Sequence, residues 1–362
     1  MSTREAGGRV STRDRALGAF YGLALGDALG MPTQSMSRAE IARRYGPIRT
    51  LRDAVADQPI VPGMPAGSVT DDTEQAVLLA RLLISGGGRV APEVFATALL
   101  DWESEMARRG SLDLLGPSTK RALELLGNGT PPWEAGRTGT TNGAAMRITP
   151  VAIATPPDLG RLVEAVTATS EITHNTNLGI AAAAAVAAAV SAGIDGADLP
   201  AALDLAERAA ADGGRRGHWC AGGDIAARIG WARRWVRDLV DANDAGGNDT
   251  GGNDAGGDRR EAVAGAVYAV VGTSVAAQES VVAAFALVEA LGSSPADALA
   301  TAAGLGGDTD TIAAIAGAIL GAQHGLSGLP ADLVADVRRV NDLRLQPVVD
   351  GLLELRYRHQ EG

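Results

Sequence analysis

Two short acidic stretches, far apart in the sequence, have the residue types to bind cations. The first, "SVTDDTEQAVLLA", contains Asp71 and Asp72, and the second, "GLGGDTDTIAAIAGAILGA", contains Asp308 and Asp310. Each leads into an apolar stretch that predicts a buried helix. Close carboxylates beside such a helix are costly unless a cation lies between them. Because every donor is an oxygen, the pattern favours Mg²⁺, Mn²⁺ or Ca²⁺ over zinc.

A second interpretation assigns these acidic residues to helix capping. Aspartate and threonine are good N-caps, and anions are stabilised at the positive end of a helix. One aspartate before "TIAAIAGAIL" would serve that purpose, whereas Asp308 and Asp310 flank Thr309 and exceed it. If the two helix N-termini converge, they would form a two-metal site that binds vicinal hydroxyls or activates a water. Spacing alone leaves both interpretations open.

Two loops carry further polar residues beside glycine. "LLGPST" contains Gly116, Ser118 and Thr119, which fit a proline turn with an N-cap, or a phosphate-binding helix start. "TNGAAMR" contains Asn142 and Gly143, which by themselves fit a turn in which glycine permits unusual backbone angles.

The elements that must position these residues are predicted to be helices. Hydrophobic residues make up 46% of the 362 residues and aromatic residues only 3%, and no alternating strand pattern is present. Alanine, which is abundant, is the strongest helix former. We predict a single all-α domain over residues 13–358, with a flexible tail at 1–12 and a low-complexity insertion at 241–258. The last helix, from about residue 331 to 358, would be amphipathic or broken at Pro347.

Charge and composition also exclude some classes of partner. The net charge of −11 leaves no basic surface for nucleic acid and disfavours an anionic membrane. The single cysteine, Cys220, cannot form an intramolecular disulfide. The N-terminal residues do not resemble a signal peptide, and the longest apolar run, 178–190, is shorter than the ~20 residues of a membrane span. The expectation is a cytoplasmic protein.

Six stretches resemble, in order, the motifs of the ADP-ribosylglycohydrolase family. They are "GLALGDALGMPTQ", "GSVTDDTEQAVLLA", "GPSTKRAL", "TNGAAMRITPVA", "ITHNTNLG" and "GLGGDTDTIAAIAGAILGA". The resemblance spans about residues 16–322 and leaves out the low-complexity insertion. It implies a fold of roughly orthogonal helices, two Mg²⁺ or Mn²⁺ ions, and cleavage of the bond at C1′ of ADP-ribose.

The same resemblance implies roles for the acidic stretches. The implied metal ligands are Thr70, Asp71, Asp72, Asp308, Asp310 and Thr311. Asp310 would bridge both ions, which would bind the 2′ and 3′ hydroxyls of the ribose. Asp71, Asp72 and Asp310 are the catalytic candidates. A metal-bound water, or one held by Asp71 or Asp72, would attack C1′ through an oxocarbenium-like state.

The remaining candidates are implied to form the substrate pocket. They are Gln34, Gly116, Ser118, Thr119, Asn142, Gly143 and His174. The loop with Asn142 would be a wall of the pocket, although Thr141 stands where glycine is common. The "GPST" loop would cover the diphosphate and ribose. His174, which alone fits a capping or packing residue, would position the substrate.

Gln34 departs from the family pattern, which often has a catalytic glutamate at this position. Glutamine cannot donate or accept a proton as a carboxyl group does. Three functions therefore stay open: an ADP-ribosyl hydrolase, a hydrolase of a smaller nucleoside or modified riboside, and an ADP-ribose binder without turnover. The expected partner is an ADP-ribosylated protein or a small ribosyl compound, with no nucleic acid and no membrane.

Overall fold

The structure, a computed structural model, describes residues 10–110, 115–246 and 255–361. Within these ranges the chain forms helices and loops, and β structure is limited to isolated bridges. These bridges pair Met36 with Gly307, Thr141 with Ala276 and Thr176 with His218. The all-α prediction is confirmed.

The described ranges contain eighteen α-helices, which we number in chain order. The first nine are α1 (Thr12–Gly30), α2 (Arg38–Arg44), α3 (Asp71–Ser85), α4 (Pro92–Arg108), α5 (Pro117–Gly127), α6 (Pro132–Ala135), α7 (Gly143–Met146), α8 (Thr149–Ala154) and α9 (Leu159–His174). The other nine are α10 (Asn177–Ile194), α11 (Leu199–Gly213), α12 (Ile225–Gly246), α13 (Ala255–Ala266), α14 (Ala277–Leu291), α15 (Pro295–Ala303), α16 (Thr309–His324), α17 (Ala331–Val340) and α18 (Leu345–Glu361). Shorter elements are the 3₁₀ turns Met31–Thr33 and Leu326–Gly328 and the π-helix Val267–Val271.

Helices α1 and α16 form a closely packed antiparallel pair. A Cβ added at Gly22 would collide with the main-chain oxygen of Gly317, and one added at Gly317 would collide with that of Gly22. Nearer the end of α1, a Cβ at Gly30 would collide with the main chain of Thr309. Because only glycine permits this approach, the C-terminal half of α1 lies directly against the acidic N-terminus of α16.

Helix α10 contains the apolar run 178–190 and is rich in alanine. Among the described helices, it alone is long and apolar enough to cross a membrane by length and composition, and 94% of it is buried inside the molecule. It packs against α9, α11 and α16. Its small side chains allow these neighbours to approach closely, so it supports α16, one of the two helices that carry the acidic residues.

The C-terminal helix is broken, but not at the predicted position. The chain turns at residues 341–344, between α17 and α18, and Asp342 has a positive φ of 45°. Pro347 lies in the first turn of α18. There its missing N–H group breaks no helical hydrogen bond, so proline is tolerated. The predicted break at Pro347 is therefore wrong.

The predicted tail and insertion lie partly outside the described residues. Residues 1–9 of the tail are outside them, and α1 already begins at Thr12. At the predicted insertion, α12 extends to Gly246 and α13 begins at Ala255, so both of its ends are helical. Residues 247–254 lie outside the described ranges. The single-domain organisation stays a prediction.

Candidate active site

The N-terminus of α3 is held by Asp27, a buried residue of α1. Its carboxylate accepts hydrogen bonds from the backbone N–H groups of Thr70 (3.0 Å) and Thr73 (3.1 Å) and from the Thr70 hydroxyl (2.8 Å). These N–H groups belong to the helix start, where intrahelical partners are missing. Burial raises the pKa of Asp27 to about 6, against the effect of these bonds.

Asp27 was not among the sequence candidates. The available signal was a lone carboxylate in "ALGAFYGLALGDALG". All residues from 16 to 30 apart from Asp27 and Tyr21 are apolar or glycine. A charge in such a helix requires a partner, but the sequence does not indicate that the partner is the start of α3.

The N-terminus of α16 is held by backbone contacts. Gly306 and Gly307 have positive φ values of 90° and 79°. The Ser35 N–H group donates to the Gly307 oxygen (2.7 Å), and the Gly307 N–H group donates to the Met36 oxygen (2.9 Å). The next N–H group, that of Asp308, donates to the carbonyl oxygen of Thr273 (2.7 Å). The acidic start of α16 is thus fixed between two loops.

The two acidic helix starts meet. The Thr311 hydroxyl donates to Oδ2 of Asp72 at 3.2 Å, across 239 positions of sequence. Burial, and then repulsion by Asp310 and Asp71, raise the pKa of Asp72 well above its usual range. Oδ1 of Asp72 is buried and has no hydrogen-bond partner among the described residues. The carboxylates of both stretches therefore share one buried, negatively charged site.

Asn142 joins this site to the loop before α7. Its Nδ2 donates to Oδ2 of Asp308 (2.5 Å) and to the hydroxyl of Ser280 (2.9 Å), and its backbone N–H donates to the Val275 oxygen (3.0 Å). Burial raises the pKa of Asp308 to about 6, whereas hydrogen bonds from Asn142 and Thr311 lower it. Asn142 consequently orients a carboxylate rather than only forming a turn.

The donor set fits a hard divalent cation. The side-chain oxygens at the two helix starts come from Thr70, Asp71, Asp72, Asp308, Asp310 and Thr311. Mg²⁺ and Mn²⁺ prefer such ligands, and a cation would supply the partner that the buried Oδ1 of Asp72 lacks. As placed, no three Asp, Glu, His or Cys side chains within the described ranges form a ready-made metal-binding group. The side chains of these residues would therefore have to rotate for their oxygens to surround an ion.

A second group of candidates surrounds His174. The imidazole is fully buried, and its Nε2 lies 2.9 Å from the Thr141 hydroxyl. A Cβ at Gly143 would lie only 2.8 Å from Cε1 of His174, so glycine leaves room for the imidazole, and 3.6 Å from the Thr119 hydroxyl, which is ordinary contact. Burial, and then the charge of Arg147, lower the pKa of His174 well below its usual range. The imidazole is therefore neutral at neutral pH.

Gly116 and Ser118 lie at the start of α5, next to Thr119. Gly116 is the N-cap residue, and no side chain in the described ranges caps this helix. Pro117 has no N–H group, so the N–H groups of Ser118 and Thr119 are the ones available to an anion. Ser118 is half-buried and Thr119 is buried. The link between this second group and the acidic site is the dipeptide Asn142–Gly143.

Gln34 lies beside the loop that precedes α16. Its main-chain oxygen accepts from Nε2 of Gln58 (2.8 Å), and the following residue, Ser35, bonds to Gly307. The Gln34 side chain is buried, and its Nε2 has no acceptor in the described part of the chain. An unsatisfied buried donor costs free energy, so this amide is suited to donate to a ligand.

Comparison with known proteins shows which family this chain resembles along its length. The model of the family "ADP-ribosylglycohydrolase" matches residues 9–362. The uncharacterized protein YegU of Escherichia coli strain K12 is 32% identical over 348 residues, which are 96% of this chain and 98% of YegU. ADP-ribosyl-[dinitrogen reductase] glycohydrolase of Rhodospirillum rubrum is 35% identical over 198 residues, 55% of this chain and 64% of that protein. ADP-ribosylarginine hydrolase Tri1 of Pseudomonas putida strain GB-1 is 26% identical over 328 residues, which are 90% of this chain and 74% of that protein.

A solved structure has a similar fold. It is described as an ADP-ribosylglycohydrolase-related protein complex, with a TM-score of 0.66, 24% identity, and coverage of 95% of this chain and 99% of that chain. At this identity the likeness shows the fold. Since the family model covers nearly the whole chain and YegU is similar over almost its full length, this chain belongs to the ADP-ribosylglycohydrolase family and is a glycosidic-bond hydrolase.

Proposed function

We propose that this chain is a metal-dependent hydrolase that cleaves the glycosidic bond at C1′ of an ADP-ribosyl group. The observation that carries the proposal is the hydrogen bond from Thr311 to Asp72, which joins two acidic helix starts in one buried site. The names of the Rhodospirillum and Pseudomonas relatives, which refer to ADP-ribosylated dinitrogen reductase and ADP-ribosylarginine, support an ADP-ribosylated substrate.

The proposed cofactors are two Mg²⁺ or Mn²⁺ ions. Their ligands would be Thr70, Asp71, Asp72, Asp308, Asp310 and Thr311. When bound, such ions supply positive charge that binds the 2′ and 3′ hydroxyls of ribose and lowers the pKa of a bound water. The proposal is supported by the all-oxygen donor set and by the buried Oδ1 of Asp72, which lacks a hydrogen-bond partner among the described residues.

The acidic side chains would orient water and accept its proton. Asp71 is half-buried and so faces a space that water can enter, whereas Asp72 and Asp310 are buried. Asp71 or Asp72 would take a proton from water, and the water oxygen would bond to C1′ through an oxocarbenium-like state as the bond from C1′ to the leaving group breaks. The same carboxyl group would then return the proton to the leaving group. Asp310 would keep its position because its main chain packs against Gly30 of α1.

The second group would bind the rest of the substrate. His174, neutral and bonded to Thr141, would position the ribose and would not transfer a proton. Ser118, Thr119 and the uncapped first turn of α5 would bind phosphate oxygens. These local donors allow a protein of net charge −11 to hold an anionic diphosphate.

A second candidate function is hydrolysis of a smaller nucleoside or modified riboside. It is favoured by Gln34, whose buried Nε2 is a donor without a described acceptor and which cannot exchange a proton. A leaving group that needs less protonation would suit such a site. A binder without turnover is disfavoured because this chain matches the ADP-ribosylglycohydrolase family model over residues 9–362 and keeps the full set of acidic residues.

The test is a panel of substrates with defined metal content. Metal-free protein is incubated with ADP-ribosylarginine, ADP-ribosylserine and simple nucleosides, with and without Mg²⁺ or Mn²⁺, and products are separated by chromatography. We expect metal-dependent release of ADP-ribose and a loss of at least ~100-fold in Asp308→Asn and Asp310→Asn, because both remove a proposed ligand charge. Asp350→Asn, at an exposed ion pair with Arg13, is the control that keeps activity.

The outcomes separate the candidates. Full activity in excess chelator, or in Asp310→Asn, would contradict the metal-dependent mechanism. Cleavage of nucleosides without cleavage of ADP-ribosyl compounds would support the second candidate, and a gain of ADP-ribosyl cleavage in Gln34→Glu would strengthen it.

A further inference from the structure

Arg147 is a fully buried cation whose described partners are all uncharged. Its Nη1 donates to Oε1 of Gln75 (2.9 Å), and its Nη2 donates to the hydroxyl of Thr173 (2.5 Å). The guanidinium carbon lies 5.0 Å from the centroid of the Phe95 ring. Burying a charge without a contacting counterion is costly, so this arrangement must be compensated from further away.

On the side of Arg147 that faces α3, its buried charge is compensated by Asp71 through Gln75. This residue lies one turn after Asp71 in α3, and its Nε2 donates to Oδ2 of Asp71 at 2.9 Å. The amide orientation is determined because a guanidinium only donates and a carboxylate only accepts. Burial lowers the pKa of Arg147 to about 10, and the negative charge of Asp71 opposes that change. Gln75 is thus an uncharged bridge between a cation and a proposed metal ligand.

On the other side, Arg147 reaches the pocket histidine. The Thr173 hydroxyl that accepts from Arg147 lies 2.8 Å from Nδ1 of His174. The other ring nitrogen of His174 contacts Thr141 at 2.9 Å. The hydrogen-bonded chain therefore runs from Asp71 in the acidic site to His174 in the second group.

We infer that Arg147 is a positioning residue that couples the orientation of Asp71 to that of His174 through Gln75 and Thr173. The inference rests on the proposed metal site at Asp71. An arginine in direct contact with Asp71 would occupy the carboxylate oxygens that an ion needs. With one intervening amide, the contact with Asp71 is a single hydrogen bond to Oδ2 and not a guanidinium ion pair, while the positive charge of Arg147 still acts on the carboxylate. The same cation holds the imidazole in place, so the two halves of the site are aligned together.

A second buried arginine provides a matched control. Arg356 of α18 is 0% exposed, against 1% for Arg147. It donates directly to Oδ1 of Asp195 (2.6 Å) and to the carbonyl oxygens of Ala152 (3.0 Å) and Ser191 (3.1 Å). None of its described partners is a candidate site residue. Its loss should therefore weaken the fold without changing the site.

The experiment compares Gln75→Met, Arg147→Met and Arg356→Met in the full chain. The dissociation constant of Mn²⁺ from metal-free protein is measured by calorimetry, together with the melting temperature. We expect Mn²⁺ affinity to fall roughly 10–100-fold in Gln75→Met and Arg147→Met, as for other residues that orient metal ligands. Arg356→Met should lower the melting temperature but leave the Mn²⁺ affinity unchanged. The double variant of Gln75 and Arg147 should lose less affinity than the product of the single losses.

A measurement on metal-free protein tests the other end of the hydrogen-bonded chain, at His174. The protein has only four histidines, so the ¹⁵N signals of the His174 ring can be assigned by a His174→Gln variant. Arg147→Met should shift these signals, and Arg356→Met should not. If Arg147→Met does not fold, Thr173→Val and Gln75→Met carry the test, through the His174 signals and the Mn²⁺ affinity respectively.

The outcomes distinguish this inference from the proposed function. Wild-type protein that binds no Mn²⁺ would overturn the proposed function and, with it, the coupling to Asp71. Normal Mn²⁺ binding by wild type, Gln75→Met and Arg147→Met alike, with unshifted His174 signals, would overturn the coupling alone.

Discussion

The starts of α3 and α16 lie in one site but are held by different means. The start of α3 depends on a side chain, since the Asp27 carboxylate receives the N–H groups of Thr70 and Thr73. The start of α16 depends on the backbone, since Gly307 and the N–H group of Asp308 bond to neighbouring loops. The start of α3 therefore depends on the buried carboxylate of Asp27, and the start of α16 depends on the positive φ of Gly307.

This difference bears on the capping interpretation. Neither Thr70 nor Asp308, the N-cap residues of the two helices, makes a side-chain capping bond within the described ranges. The Asp308 carboxylate instead receives the Asn142 amide, and Asp72 and Asp310 lie inside the helices. The acidic residues on the site therefore exceed what capping requires, and Asp27 performs that task for α3.

The largest expected effect on stability is at the start of α3, which the Asp27 side chain holds. Asp27→Ala leaves buried N–H and hydroxyl groups without their acceptor, so the free energy of unfolding should fall by about 3 kcal/mol. Urea denaturation of the metal-free protein measures this loss. The control is Asp198→Ala, which removes an exposed N-cap from α11 and should cost about 1 kcal/mol. Equal losses in the two variants would show that the burial of Asp27 is unimportant.

A smaller effect on stability is expected at the start of α16, which backbone hydrogen bonds hold. Gly307 has a φ of 79°, and an added Cβ would collide with the Thr273 oxygen. Gly307→Ala should therefore lower the free energy of unfolding by roughly 2 kcal/mol and weaken Mn²⁺ binding, because the loop that carries Asp308 must move. Gly63→Ala is the control, since Gly63 has a φ of 67° and no described atom within 4 Å of an added Cβ. It should cost only about 1 kcal/mol and leave Mn²⁺ affinity intact.

The smallest effect concerns pH. The folded protein holds the pKa values of Asp27 and Asp308 at about 6, and that of Asp72 well above its usual range, whereas unfolding restores values near 3.8. Between these limits the folded state binds more protons, so metal-free protein should gain stability as the pH falls from 7.5 to 5. His174, with a lowered pKa, opposes this gain. The net rise should be roughly 1–2 kcal/mol.

Thermal denaturation at the two pH values measures this rise, with and without saturating Mg²⁺. Bound cations stabilise the ionised carboxylates, so Mg²⁺ should remove or reverse the gain. Asp308→Asn should reduce the gain, since it takes away the contribution from the start of α16. A metal-free protein that loses stability between pH 7.5 and 5 would contradict the assignment of raised pKa values to these carboxylates.

Local sequence patterns were sufficient for the helical class, and they pointed to the two acidic stretches on which the proposed site rests. They failed where a result depended on a remote partner. Pro347 is a helix breaker by type, yet it lies in the first turn of α18, and the break occurs at residues 341–344. Gln75, in a predicted helix, and Arg147, in a predicted loop, show no link to Asp71 in the sequence, and only their contacts connect them to it.

The sequence by itself determined that this chain is α-helical, because alanine content, apolar periodicity and small residues are local properties. It also determined the oxygen-rich donor set, because residue type decides ligand chemistry. Only the tertiary structure decided that Thr311 reaches Asp72 across 239 positions and that Asp27 caps α3. The physical reason is that close packing of α1 against α16 brings these groups together, and the contacts between remote helices depend on the whole core.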